Sequence, residues 1–376
     1  MVASISARGG AKAALSYYSH LQADDYYTGG KEPPGRWAGD GAERLSLQGP
    51  VTRSEFEAAL QGRDPKTGEQ LAREGGRSRE HAAGWDMTFS APKSVSVLWA
   101  LSDQTDRHLI ADAHRSAVQA ATSHLERTAA WARRGSGGSV SEQTAGLLVA
   151  QFDHHTSRES DPQLHTHSFV FNLAPRQDGS WGAIVSRELY KAQKTVGAVY
   201  RNELANGLER LGHQVERQAD GFRLAAIPRD IERAFSKRRQ AIEEAARTHG
   251  YSTPKGMELA TLRTRRAKHD GKIEELLKGW QAEAKALGFE LPRERQSAGE
   301  RSPPGSEPSS TGSTAGRINV PKTAAPKAVS VNAAALQQKM AGVAQAVAQA
   351  LRSIDQPSAM PGLKLKLRSP DHERDS

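Results

Sequence analysis

The densest chemistry in the sequence is the run Phe152-Asp153-His154-His155-Thr156-Ser157-Arg158, followed by Asp161-Pro162-Gln163-Leu164-His165-Thr166-His167. On a strand, alternate side chains share a face, so His165 and His167 point the same way and can both reach one cation. A third ligand has to come from elsewhere, and His154 or His155 stands across a short connection that a hairpin would supply. Three imidazoles that leave coordination positions open suit a catalytic divalent ion better than a structural one. The pair alone is weak evidence, since 13 histidines make a chance His-x-His unsurprising. The plain alternative is two strand histidines in a core or on a surface. The nearby third histidine favours metal, and the chain has no cysteine to offer instead. Disulfides, zinc knuckles and thiolate catalysis are thereby excluded.

Two tyrosine pairs, Tyr17-Tyr18 and Tyr26-Tyr27, hold four of the 7 tyrosines. A phenol with a pKa of about 10 is a poor nucleophile near neutrality. A neighbouring base or cation makes the phenolate accessible, and attack on a phosphodiester then gives a phosphotyrosine that stores the bond for later rejoining. The plain alternative is aromatic core. Asp86 lies in Gly84-Trp85-Asp86-Met87-Thr88-Phe89, an otherwise apolar strand. Burying a carboxylate there is costly unless it is paired. It would hydrogen-bond an attacking tyrosine or orient a metal-bound histidine, unless it sits on an edge strand facing water.

These groups need a scaffold. Residues 85–89 read as a strand and 95–99 as the start of a buried helix, with Ser90-Ala91-Pro92 as punctuation. Helical spacing runs over 103–134 and again over 189–211; strands are expected at 147–152 and 165–172, and a hairpin at 214–224 around Asp220-Gly221. Residues 231–250 and 258–287 read as two charged helices, and 30–79 as loop-rich with short helices. The organisation expected is a folded domain over 1–293, a linker rich in Ser, Pro and Gly over 294–330, and a short helical, basic tail over 331–376. The net charge of +9 and pI near 9.7 favour a polyanionic partner. No apolar run reaches the roughly 18 residues of a membrane span, and residues 1–10 lack an apolar signal core. The expectation is a cytoplasmic protein with no membrane insertion.

Taken together, these segments resemble the MobF-type conjugative relaxases, the TrwC/TraI group. The likeness runs along residues 1–250. It is carried by the two tyrosine pairs, Arg36-Trp37-Ala38-Gly39-Asp40-Gly41-Ala42-Glu43, the block from Gly84 through Ser96, His154-His155-Thr156-Ser157-Arg158, the Asp161 to His167 block, and Phe235-Ser236-Lys237-Arg238. The resemblance implies an α+β fold, the HUH-endonuclease palm, with a central antiparallel sheet flanked by helices. It implies His154, His165 and His167 as ligands of a divalent ion, with Mg²⁺ or Mn²⁺ expected. It implies Tyr17 as the nucleophile on the scissile phosphate, Tyr26 for a second strand transfer, and Asp86 as the carboxylate that positions or deprotonates Tyr17. Arg77, Arg79, Arg158 and Lys237 are the expected DNA contacts.

The partners implied are single-stranded DNA at an origin of transfer, accessory origin-binding proteins and a type IV secretion coupling protein, with export of the bacterial protein on the transferred strand. Many relatives continue into a helicase with a Gly-x-x-x-x-Gly-Lys-[Ser/Thr] loop; that loop does not occur in these 376 residues. A separate helicase is therefore a further expected partner. A second departure is His155, where the family carries an acid. The alternatives are a rolling-circle replication initiator and an origin-binding protein that does not cut; the tyrosine spacing argues against the first and the complete catalytic set against the second.

Overall fold

The computed structural model describes residues 3–10, 14–16, 34–72, 83–144, 146–264 and 272–291. The chain divides into two units, Met1–Arg301 and Ser302–Ser376, and every described residue lies in the first. Tyr17, Tyr26, Arg77, Arg79 and the expected linker and tail lie outside the described residues.

Five strands make the central sheet. In chain order they are β1 (Ala3–Arg8), β2 (Arg36–Ala38), β3 (Gly84–Ser90) and, after a small hairpin of β4 (Trp131–Arg134) and β5 (Val140–Gln143), β6 (Val149–Thr156) and β7 (Pro162–Phe171). The order across the sheet is β1-β3-β7-β6-β2, and every neighbouring pair is antiparallel. β7 is therefore the middle strand, with β3 and β6 on its flanks. Asp86 sits on an inner strand and not on an edge.

The helices follow the stop and start signals of the sequence. Short α1 (Asp40–Arg44) and α2 (Arg53–Leu60) fall in the loop-rich segment, and α2 opens on a Thr52/Glu55 capping box. α3 (Lys93–Leu101) begins directly after Pro92; α4 (Gln104–Ala129) is capped by Asp103, and α5 (Ser186–Arg210) runs beside it. A β carbon on Gly207 of α5 would stand 3.2 Å from Ala113 of α4, so glycine there permits the close approach. Two further two-stranded ribbons, β8 (Ala174–Pro175) with β9 (Trp181–Gly182) and β10 (Val215–Gln218) with β11 (Gly221–Leu224), precede four helices: α6 (Arg229–Ala234), α7 (Lys237–Thr248), α8 (Pro254–Arg263) and α9 (Ile273–Ala286).

Strand alternation divides the apolar residues between two cores. Trp85, Met87, Phe89, Leu164 and Val170 face α4 and α5. Phe152, Phe169 and Phe171 face the other way and pack on Phe56 and Leu60 of α2. Further along that second face the residues turn polar.

Three expectations of the sequence change. The helix expected through 134 stops at Ala129, because Trp131–Arg134 pairs with Val140–Gln143 across a glycine turn in which Gly135, Gly137 and Gly138 all have positive φ. The helix expected over 231–250 breaks after Ala234, where Phe235 leaves the helical path and is fully buried. The helix expected over 258–287 is two, α8 and α9. The 214–224 hairpin forms as expected.

Candidate metal centre

His165 and His167 lie two apart on β7 and so share its second face. Register supplies the third imidazole: His154 on β6 is the direct partner of His165. Ring centroids of the three stand 5.2–5.3 Å apart in every pairing. One nitrogen from each lies within 4.8 Å of the others. Small rotations would bring these atoms to the spacing needed around one ion with bonds of about 2.0–2.1 Å. His154 is buried and the other two are half-buried, so the cluster is open on one side. Three neutral nitrogen donors with room for further ligands fit a divalent ion.

Two hydrogen bonds set which nitrogen faces the centre. The backbone carbonyl of Gln163 accepts from His165 Nδ1 at 2.8 Å, which in the neutral ring makes Nε2 the nitrogen with a lone pair to offer. His167 Nδ1 lies 3.0 Å and 3.1 Å from the two carboxylate oxygens of Asp86, itself only 3% exposed. A carboxylate behind a ligand histidine fixes the ring's tautomer and raises its basicity. Asp86 is also approached by Arg8 at 3.4 Å and by the Thr88 hydroxyl at 3.3 Å. Thr88 stands 3.1 Å from His167 Nδ1 as well. Sequence reasoning missed Thr88, although its place two residues beyond Asp86 on one strand put it on the same face.

His155 faces the other way. Its ring stacks on Trp99 of α3, with centroids 4.6 Å apart and planes at 4°. Of the two adjacent histidines, His154 alone joins the cluster. Arg158 lies half-buried in the turn between β6 and β7. Lys237, expected on DNA, instead places its ammonium 3.3 Å from Asp161 and 2.8 Å from Glu283. Burial opposes that charge, but the hydrogen bond to Glu283 and the charges of both carboxylates outweigh it and raise its pKa. Its ammonium is thus ion-paired within the fold, while 46% of the side chain stays exposed.

Beneath the cluster, on the helix face, a buried polar chain crosses the same strands. Thr166 donates to Asp153 Oδ1 at 2.6 Å, so its hydroxyl accepts from His114 Nε2 at 2.8 Å. Nδ1 of His114 is then the acceptor for the Tyr200 hydroxyl, also at 2.8 Å. Arg36 closes the chain on Asp153 Oδ2 at 2.6 Å. Burial works against the Asp153 carboxylate, but Arg36, His114 and the hydrogen bonds from Arg36 and Thr166 hold its pKa below the ordinary value. The sequence gives no local sign of this chain, whose five members come from five separate elements.

Residues 11–287 match the sequence model of a family described as TrwC relaxase. The chain belongs to the TrwC relaxase family. Two relatives are the multifunctional conjugation protein TraI of Escherichia coli, 36% identical over 302 residues, and TraI of Escherichia coli strain K12, 35% identical over 302 residues. Each alignment takes in 77% of this chain and 16% of the relative, so the chain spans 16% of the length of these curated relatives. Among solved structures it is similar to metal-free conjugative relaxase TrwC in complex with OriT DNA, at 34% identity and a TM-score of 0.68. It is also similar to the metal-bound form of that complex, at 36% and 0.67, and to TrwC with a 27-mer comprising the recognition hairpin and the cleavage site, at 34% and 0.67. Each covers 77% of this chain and 99% of the other. The relaxase fold expected from the sequence is the one observed. Among the described residues, no helix is long and apolar enough to cross a membrane.

Proposed function

We propose that this chain is a conjugative relaxase that nicks one strand of DNA at an origin of transfer and remains covalently attached to it. The observation that carries this is the convergence of His154, His165 and His167 on one sheet face, with Asp86 behind His167, in a TrwC relaxase family chain. Its solved relatives are described as complexes with OriT DNA, which supports single-stranded origin DNA as the substrate here.

In this reading the three histidines hold a divalent ion, which when bound supplies electrophilic polarisation of the scissile phosphate. Because all three donors are neutral imidazoles, the protein brings no ligand charge to offset that effect. Of the expected Mg²⁺ and Mn²⁺, Mg²⁺ fits an all-nitrogen donor set less well, since it binds through oxygen ligands in near-ideal octahedral geometry. The Tyr17 phenolate oxygen attacks phosphorus and the bond from phosphorus to the 3′ oxygen breaks. That oxygen leaves with a proton as a 3′ hydroxyl, and the 5′ phosphate stays esterified to Tyr17. Tyr26 serves a second strand-transfer step by the same chemistry. Asp86 orients His167, and its remaining lone pairs are assigned to positioning or deprotonating Tyr17. Arg77, Arg79 and Arg158 are assigned to phosphates; Lys237 is not, since Asp161 and Glu283 take up its charge.

The working unit proposed is residues 1–293, followed by a linker over 294–330 and a tail over 331–376. Accessory origin-binding proteins, a type IV secretion coupling protein and a separate helicase are its proposed partners. It acts in the bacterial cytoplasm before export with the strand.

The test is a denaturing gel of the purified chain incubated with labelled single-stranded origin oligonucleotide, with Mn²⁺, Mg²⁺ or chelator. The expected result is a metal-dependent covalent adduct that Tyr17→Phe abolishes. An adduct that survives Tyr17→Phe moves the nucleophile to another tyrosine. Tight binding without any adduct supports the non-cutting alternative.

A further inference from the structure

Two sequence blocks that the nicking chemistry leaves unused meet behind the metal centre. Asp161, from the block that ends in His167, is fully buried. Its Oδ2 accepts from the backbone N–H of Lys237, the first residue of α7, at 2.7 Å. The hydroxyl of Ser236, the residue that should cap α7, turns back to the Glu232 carbonyl at 2.6 Å and makes no cap. A carboxylate from the β6–β7 turn takes its place, and negative charge at a helix N-terminus is favourable.

The same turn is held from two more sides. Lys93, in the first turn of α3, donates to the Pro162 carbonyl at 2.7 Å. Burial lowers its pKa to about 8 against the pull of Asp161. The carbonyl of Ser160 accepts from the indole N–H of Trp280 in α9 at 2.8 Å, and Ser160 itself adopts a left-handed φ of 56°. Trp280 also packs on Trp99, 6.3 Å between centroids, and Trp99 carries the stacked ring of His155.

This turn is the covalent link between His154 and His165. The β6–β7 ladder is regular up to that pair and then shifts register between His154 and Thr156. Beyond the shift a single pair, Thr156 with Pro162, remains before the turn, so the ladder is locally disrupted there and ties the strands less closely. The anchors from α7 and α9 act at that point. We infer that Asp161 is a positioning residue for the metal centre: with Lys237 and Trp280 it clamps the β6–β7 turn and so sets His154 against His165. The helices α7 and α9 thereby become part of the ion site without touching it. This rests on the reading of the three histidines as a metal site.

Calorimetric titration of the full chain with Mn²⁺, and absorption spectra with Co²⁺, test it. Wild type binds one ion. Asp161→Asn is expected to weaken Mn²⁺ binding about tenfold or more, within the range of outer partners of metal ligands. Trp280→Phe, which keeps a ring in the core and loses the N–H, weakens it severalfold. Both shift the Co²⁺ bands. Leu208→Ala, a core truncation in α5, lowers the melting temperature and leaves the bands in place. A wild type that binds no ion overturns the metal reading and this inference together. Binding by wild type with equal affinity and equal spectra in both variants overturns this inference alone. Should Asp161→Asn fail to fold, Trp280→Phe decides.

Discussion

Asp86 and His167 form the closest carboxylate–imidazole pair of the site, with Nδ1 3.0 Å from Oδ2 and 3.1 Å from Oδ1. The Asp86 carboxylate is buried, and the contact directs the other ring nitrogen of His167 toward His154 and His165. Asp86→Asn keeps the shape but loses the carboxylate charge that faces His167 Nδ1. The expected outcome is Mn²⁺ affinity lower by about 10-fold to 100-fold, with the fold retained, measured by calorimetric titration beside circular dichroism. Unchanged affinity would mean that His167 is oriented by other contacts.

His154 and His155 are adjacent, yet their substitutions should part cleanly. His154→Ala removes one of the three converging nitrogens and should abolish measurable Mn²⁺ binding. His155→Ala should leave the affinity within about twofold while costing about 0.5–1.5 kcal/mol through the lost stack on Trp99. Paired metal titrations and urea melts read both effects. Loss of binding in His155→Ala would place that ring, not His154, at the ion.

The histidine cluster was legible in the sequence because strand alternation is local: His-x-His on β7 fixes a shared face without any knowledge of the rest. The choice between His154 and His155 needed the β6–β7 register, and the residues alone left it open. Asp86 was legible as an anomaly, a carboxylate in an apolar strand able to orient a metal-bound histidine, but which histidine it partners was not. That partner lies 81 positions away on a neighbouring strand. The ion pairs of Lys237 were hidden for the same reason. A lysine in a basic chain looks like a phosphate contact until the fold brings Asp161 and Glu283 to it. The break at Phe235-Ser236 escaped detection because periodic charge continues through it; a buried phenylalanine and a borrowed cap decide it.

Gly84 opens β3 two residues before Asp86. A β carbon there would stand 2.2 Å from the Val170 carbonyl oxygen on β7. That contact is with backbone in the middle of the sheet, so no side-chain rotation relieves it. Gly84→Ala should therefore cost on the order of 1–3 kcal/mol, read as a lower urea midpoint. A midpoint equal to wild type would show that β3 shifts freely against β7.

The buried His114 gives the fold an acid-sensitive joint. Burial pushes its pKa down from 6.5 to about 4. The unfolded chain takes up a proton at this residue near the ordinary value, while the native chain refuses it until much lower pH. Between those two values the unfolded state binds more protons, so stability falls as pH falls. The contribution is fully present above pH 6.5 and is lost as pH drops through about 4. A shift of this size corresponds to at most about 3 kcal/mol. His114→Gln removes the titration while keeping one donor and one acceptor for Thr166 and Tyr200. At pH 7 the variant should be less stable than wild type, and the gap should narrow as the buffer is taken to pH 4. Urea midpoints of both proteins across that range measure the difference, in which the carboxylates common to both cancel. Parallel curves would mean that the imidazole titrates alike in both states, and that the chain from Tyr200 to Asp153 relaxes to admit the proton.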